Sequence, residues 1–249
     1  MRHPGEQRLR REIDFHRGIS SQAEEVWDWA SPAGRLRAAR RAGFFVEHGR
    51  LAPGRRALEL GCGTGLFLEQ VARASGAAVT GLDLSTDLLA QARRRCAGLP
   101  GVRLVRGNAE QAPFPAASFD VVYGSSVLHH LDTAAAAREV ARLLRPGGRL
   151  VFTEPNLLNP QIAVTFLVWP LRPLVGLSPD EMAFTAGFVR RRLQAAGLAG
   201  AAARHFDFLH PRTPPALIGA VRRLGEALER LPGLRSIAGS LLITAEKPG

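Results

Sequence analysis

Lysine is all but absent: Lys247 is the single lysine among 33 basic residues, the rest being arginine. That bias points to a GC-rich coding sequence as much as to a selected function, so the net charge of +11 does not by itself assign an anionic partner. Cysteine is scarce too. Cys62 and Cys96 have no CxxC spacing, and one of them sits inside a glycine-rich turn, which argues against a disulfide framework and a zinc site. No metal is implied. Long apolar runs are also missing: the longest, from about Ile162 to Leu177, is broken by Pro170, Arg172 and Pro173 and falls short of the ~20 residues a membrane span needs. The opening Met-Arg-His-Pro-Gly-Glu has no apolar segment behind it, so no secretory signal is expected and the reading is a cytoplasmic protein.

What is present is an ordinary globular composition. In 249 residues, 46% are hydrophobic and 22% charged, with 26 Gly and 17 Pro, enough chain for one elaborated domain or two small ones. Charge is uneven: residues 1–56 carry 12 basic against 7 acidic groups, 57–156 carry 10 against 9, and 157–249 carry 11 against 6. An anionic partner would therefore meet the flanks and not the nearly neutral middle.

The middle alternates short apolar runs with helical spacing. Strands are expected at 56–60, 77–82, 102–105, 119–123 and 149–153, and helices at 66–74, 86–96 and 133–144, the last stopped by Pro146-Gly-Gly. Further on, a helix over 186–197 capped by Thr185, a strand near 200–208, an amphipathic helix over 214–230 and a strand near 240–246 follow. Such alternation predicts an α/β fold with a parallel sheet covered by helices on both faces. Residues 12–49 and 157–184 fit no sheet position and read as a lid and an insertion.

Leu58-Glu-Leu-Gly-Cys-Gly-Thr-Gly follows a strand and opens a helix, a context in which a glycine turn brings a ligand against the backbone at a helix N-terminus. A dinucleotide fingerprint would need glycine at position 66, which is Leu66, so pyrophosphate binding is disfavoured. Asp83 ends the second strand, 18 residues beyond Gly65, where a carboxylate can accept both hydroxyls of a ribose. Its rival role, capping the helix that starts near Thr86, is better filled by Ser85.

Glu59-Leu-Gly-Cys-Gly-Thr-Gly, Gly81-Leu-Asp-Leu-Ser, the stretch from Gly107-Asn-Ala-Glu to Ser118-Phe-Asp, Ser126-Val-Leu-His-His-Leu and Leu144-Arg-Pro-Gly-Gly-Arg-Leu together resemble successive motifs of the class I S-adenosylmethionine-dependent methyltransferases. The likeness is to the branch acting on small molecules and quinone-type substrates. It implies a Rossmann-like, doubly wound, mostly parallel seven-stranded sheet whose last strand is antiparallel. Residues 1–50 would form an N-terminal helical lid, and 51–249 the methyltransferase domain with substrate-side insertions near 157–184 and 208–237.

The resemblance further implies S-adenosyl-L-methionine as cofactor. Gly61, Cys62, Gly63 and Gly65 would form the backbone cradle, Glu59 would orient it, Asp83 would hold the ribose and Leu84 would pack on adenine. Asn108 and Ala109 stand where the family usually has Asp-Ala, and an Asn carbonyl can still accept from the adenine amino group. Ser125 would offer its carbonyl to the methionine ammonium.

Just beyond the fourth strand, His129 and His130 are candidate general bases for a hydroxyl acceptor, since neutral imidazole suits that task near pH 7. Packing of the following helix is the other role open to them. Glu154-Pro-Asn points to the substrate side or merely terminates a strand, and Trp27, Trp29 and Arg35 close over the pocket or belong to the core. O-methylation of a small or lipid-like acceptor is the first expectation, with C- or N-methylation next. A nucleic-acid methyltransferase is disfavoured because Ser125-Ser-Val-Leu replaces the Pro-Pro-aromatic turn of amino-methylating members; a non-catalytic cofactor-binding protein is disfavoured by the intact glycines and Asp83. The apolar stretch from Ile162 to Leu171 is open to burial, to lining a greasy pocket or to dipping into a membrane, and weak, salt-reversible association with anionic lipid is expected.

Overall fold

The computed structural model describes residues 8, 11, 13, 14, 17–168, 172 and 181–249. Its centre is a seven-stranded sheet in the order β3-β2-β1-β4-β5-β7-β6. The strands are β1 (Arg56–Leu60), β2 (Ala78–Asp83), β3 (Val102–Arg106), β4 (Phe119–Ser125), β5 (Leu144–Pro155), β6 (Ala199–Phe206) and β7 (Ser240–Glu246). Strands β1 to β5 pair parallel, while β7 runs antiparallel between β5 and β6. Near-continuous apolar runs mark the central strands because both faces are covered: Ala57, Leu58 and Leu60 of β1 and Val122 of β4 are fully buried.

Helices α1 (Ala23–Val26), α2 (Pro32–Gly49), α3 (Leu66–Ser75), α4 (Thr86–Arg95), α5 (Thr133–Leu143), α6 (Pro160–Leu167), α7 (Ala186–Ala195) and α8 (Ile218–Leu228) surround the sheet. Three of them start on the caps their sequences announce. Ser85 Oγ accepts from the Leu88 N–H, Asp132 Oδ1 from the N–H groups of Ala134 and Ala135, and Thr185 Oγ1 from the Phe188 N–H.

One core layer packs Phe45 of α2 and Phe67, Leu68 and Val71 of α3 on Val79, Val121, Tyr123 and Val151. The other packs Val140 and Leu143 of α5 and Val189 and Leu193 of α7 on Leu60, Val122 and Phe152. Phe45 meets Tyr123 at 4.9 Å and Phe67 at 5.8 Å, and a ring buried this fully stabilises the fold by about 1.5–3 kcal/mol. Within the segment 1–50, then, Pro32–Gly49 is a core helix, and residues 26–29 reach over the carboxyl edge of the sheet.

Strand β5 begins at Leu144 and so takes in Pro146-Gly147-Gly148, a stretch expected only to end the preceding helix. Leu144 pairs with Phe119 across a register shift, and Gly147 takes a left-handed φ of +72°, which glycine adopts without steric cost. The amphipathic helix expected over 214–230 is confined to Ile218–Leu228, after a single turn at Pro215–Leu217. No described helix is long and apolar enough to cross a membrane.

Candidate active site

The strand order reverses between β1 and β4, and in open α/β sheets the crevice at the carboxyl ends beside such a switch is where ligands sit. A cavity of about 410 Å³ lies there, within the size range of small-molecule sites. The loop after β1, the end of β2, the loop after β3 and the end of β4 each contribute to its wall.

Gly61 adopts φ +63°, and a Cβ there would stand 2.5 Å from Val127 Cγ2, so both the turn and the close approach require glycine. Gly63 donates its N–H to Asp83 Oδ2 at 2.8 Å, which locks the glycine turn to the end of β2, while Asp83 Oδ1 accepts from the Ser85 N–H at 2.9 Å. A carboxylate has about four lone-pair sites, so Asp83 retains acceptor capacity toward the cavity it lines. Cys62 is buried, and burial, with Asp83 and Glu59 nearby, pushes its thiol well above the ordinary range, which leaves it unreactive.

Of the residues singled out from sequence, Gly61, Cys62, Gly63, Asp83, Leu84, Asn108, Ala109, Ser125, His129 and His130 all line this one cavity. Glu59 and Gly65 do not. Glu59 lies beneath the loop, fully enclosed; burial pushes its carboxyl well above the ordinary range, although the Tyr123 hydroxyl donates to Oε2 at 3.1 Å. Gly65 takes φ +80° to start α3 where a Cβ would press on Ala92 at 3.0 Å, so its task is the turn and the packing of α4. The Asn108 carboxamide oxygen turns back to its own loop and accepts from the Glu110 N–H at 2.9 Å. Only its second lone pair remains for a ligand.

His129 is buried, and its Nδ1 is 2.8 Å from Glu154 Oε2, whose other oxygen accepts from the N–H groups of Val127 (3.0 Å) and Leu128 (2.8 Å). Glu154 therefore does not reach into the cavity as a strand-end carboxylate; it lies beneath His129 with no exposure. With its proton on Nδ1, facing Glu154, the imidazole would keep the Nε2 lone pair for an acceptor.

Glu181, which no motif announces, stands 3.8 Å from His129 Nε2 and 3.7 Å from His130 Nδ1. The Met182 N–H donates to the His129 carbonyl and ties this segment down. His129, His130 and Glu181 offer donor atoms within 4.8 Å of one another, the single group of this kind among the described residues, and of a type that could hold a divalent cation.

Residues 26–29 form the outer wall, with Glu24 just before them. Thr64 Oγ1 donates to Glu24 Oε1 at 2.7 Å, and Arg95 pairs with the same carboxyl. Burial alone would raise the Glu24 carboxyl, and the bonds from Arg95 and Thr64 outweigh it and hold it below its ordinary value. Trp27 lies over Gly63, where a Cβ would come within 3.3 Å of its ring. Trp29 faces both the cavity and the core, while Arg35 bonds to the Ala30 carbonyl away from it.

Fold and pocket together define a Rossmann-like, doubly wound α/β protein with a nucleoside-sized cavity at its switch point. The comparisons narrow that class. Residues 58–152 match the family described as a methyltransferase domain. An uncharacterized methyltransferase of Synechocystis is 34% identical over 170 residues, 61% of this chain and 76% of that one. A ubiquinone biosynthesis O-methyltransferase of Paracidovorax citrulli is 42% identical over 115 residues, 43% of this chain and 47% of its own length. The chain thus spans about half or less of several relatives, 31% in the case of a Streptomyces fradiae transposon protein that is 43% identical.

Among solved structures, the methyltransferase bound to the Trm112 activator of Haloferax volcanii aligns with TM-score 0.69 at 20% identity, covering 95% of this chain and 99% of that one. The likeness is one of fold. The chain belongs to the class I S-adenosylmethionine-dependent methyltransferases.

Proposed function

We propose that the chain transfers a methyl group from S-adenosylmethionine to a hydroxyl of a small or lipid-like acceptor. One observation carries the reading: the glycine loop locked to Asp83 and the His129 imidazole, backed by Glu154, open onto the same cavity. When bound, the cofactor supplies an electrophilic methyl on a sulfonium centre. The cavity fits such a group, with a glycine cradle that a Cβ would fill, the Asp83 carboxylate at the end of β2 and an apolar wall at Leu84 and Leu88.

In this reading Gly61, Cys62 and Gly63 bring backbone against the cofactor, with Gly65 shaping the turn and Glu59 stiffening it from beneath. Asp83 holds the ribose and Leu84 covers the base, while Asn108 and Ala109 border its edge. Ser125 offers its carbonyl to the ammonium. His129 takes the acceptor proton at Nε2, held in that tautomer by Glu154, and His130 lines the acceptor side. Most of the rate then comes from holding nucleophile and methyl in line, worth up to ~7–11 kcal/mol in well-oriented systems.

Residues 26–29 and, within the segment 157–184, Ile162, Phe166 and Glu181 border the acceptor side. Ile162 and Phe166 of α6 line the cavity, whereas Val164, Leu167 and Val168 on its other side are exposed, Leu167 by 70%. That two-sided apolar helix supports a greasy acceptor and weak contact with an anionic lipid surface. The relatives' names agree in kind: ubiquinone biosynthesis, demethylmenaquinone and aklanonic acid methyltransferases are among them.

The test is titration calorimetry with S-adenosylhomocysteine, followed by methyl transfer from labelled S-adenosylmethionine to a panel of hydroxylated aromatic and isoprenoid compounds. Saturable binding and an O-methylated product are expected. No binding, or methylation confined to nitrogen or carbon, would overturn the respective part.

A further inference from the structure

Helix α2 carries Arg37 and Arg41 one turn apart on one face. Both guanidinium groups lie against the Trp29 ring, at 5.5 and 5.0 Å from its centroid. Arg41 is buried, 3% exposed. Its Nη1 donates to Ser125 Oγ at 3.0 Å and its Nη2 to Ser240 Oγ at 2.8 Å, but its Nε, equally buried, has no partner among the described residues.

Two buried carboxylates, Asp207 and Glu154, lie near this pair. Asp207 accepts from Arg37 Nε at 2.8 Å and lies 3.7 Å from Arg41 Nη2. Glu154, also close to Arg41, is committed to Val127, Leu128 and His129. At the rim, the Asp28 carboxylate has its own arginine, Arg212, at 3.8 Å. Neither buried carboxylate meets the Arg41 Nε.

Beside these two arginines is a second cavity of about 150 Å³, with the Ser126 and Ser240 hydroxyls in its wall. It shares Trp27, Trp29 and Ile162 with the main cavity. We propose that this side chamber is an anion subsite for the acceptor, taking a carboxylate or phosphate group of a ligand whose methyl-accepting atom lies beside His129. Planar, multiply donating guanidinium groups match such oxyanions. The ligand would also occupy the buried Nε donor, which is costly to leave unmade. Burial, and after it the neighbouring Arg37, push the Arg41 guanidinium down to about 10.

The inference rests on the methyl-transfer reading only for the placement of the acceptor. Carboxylate chemistry is also carried by the methionine part of the cofactor, so the experiment separates the two sources. Benzoate and inorganic phosphate are titrated into protein saturated with S-adenosylhomocysteine, for the wild type and for Arg37→Met and Arg41→Lys, with circular dichroism as the folding control. The expected result is saturable binding of at least one anion, weakened at least tenfold in Arg37→Met, with S-adenosylhomocysteine affinity within twofold of wild type in both variants.

Absence of saturable binding by either anion, or binding unchanged in Arg37→Met, would overturn the subsite. A tenfold loss of S-adenosylhomocysteine affinity in the variants would assign the chamber to the cofactor and overturn its acceptor role. If S-adenosylhomocysteine does not bind the wild type at all, the methyl-transfer reading fails, and anion binding to the unloaded protein decides the chamber on its own.

Discussion

The two halves of the pocket, proposed above to hold the cofactor and the acceptor, are built differently. On the cofactor side, Gly61 to Gly63, Asp83 and Asn108 come from three consecutive strand ends, and their contacts are largely to backbone, as in Gly63 N–H to Asp83. On the acceptor side, His129, Glu154, Glu181, Arg41 and Trp29 come from five separate stretches, and their contacts are between side chains or from side chain to distant backbone. A backbone cradle tolerates one ligand chemistry and fixes it. A wall of side chains can be rewritten one residue at a time, which is how one fold serves many acceptors.

The sharpest test of that division is His129→Ala. If the acceptor side works through this imidazole, turnover should fall by ~10²-fold or more while S-adenosylhomocysteine affinity stays near wild type. A loss below tenfold, measured with the identified acceptor, returns the residue to packing. Asp83→Ala should do the reverse. Removing a charged acceptor from the ribose position should cost about 1.5–3 kcal/mol, or roughly 10- to 150-fold in affinity by calorimetry, and unchanged affinity would erase the distinction between the halves.

A smaller effect is expected beneath the loop. The Glu59 carboxyl is held above its ordinary value of 4.5, so its burial penalty is absent below that pH and grows as the pH rises above it, up to the folded-state value. Glu59→Gln should therefore raise the melting temperature of the ligand-free protein at pH 7, by ~2–4 °C per kcal/mol relieved, and leave it nearly unchanged at pH 4. Equal shifts at both pH values would count against the cause given. The smallest effect concerns the outer face of the acceptor half. Co-sedimentation with anionic vesicles should be weak at low salt and lost at high salt, and no binding at low salt would leave the exposed face of α6 without a lipid role.

What was legible in the sequence follows the same line. Strands β1 to β4 and the caps at Ser85 and Thr185 were readable because periodicity, glycine and capping side chains act over a few residues. The glycine loop was readable for the same reason, except that Gly65 and Glu59 shape it from outside the cavity. Glu154 was visible as a strand end, but its partner could be found only after β4 and β5 were paired, since Ser125 against Thr153 sets the register that brings His129 over it. Glu181 and Arg41 carried no local signal at all. Each is a single charged residue whose meaning depends on groups about 50 to 200 residues away in the chain.

Strand β7 holds a further consequence, one that concerns how the molecule is made. It is the last strand in the sequence yet lies inside the sheet, between β5 and β6. While the chain is being synthesised, β5 keeps an open edge and β6 has no partner until residues 240–246 have emerged. An exposed strand edge is a template for pairing with other chains, and long-range strand pairing is slow because the loop must close first. A chain cut short before Ser240 would lose one strand and strand a second, so truncation there should yield aggregation and not a smaller folded domain.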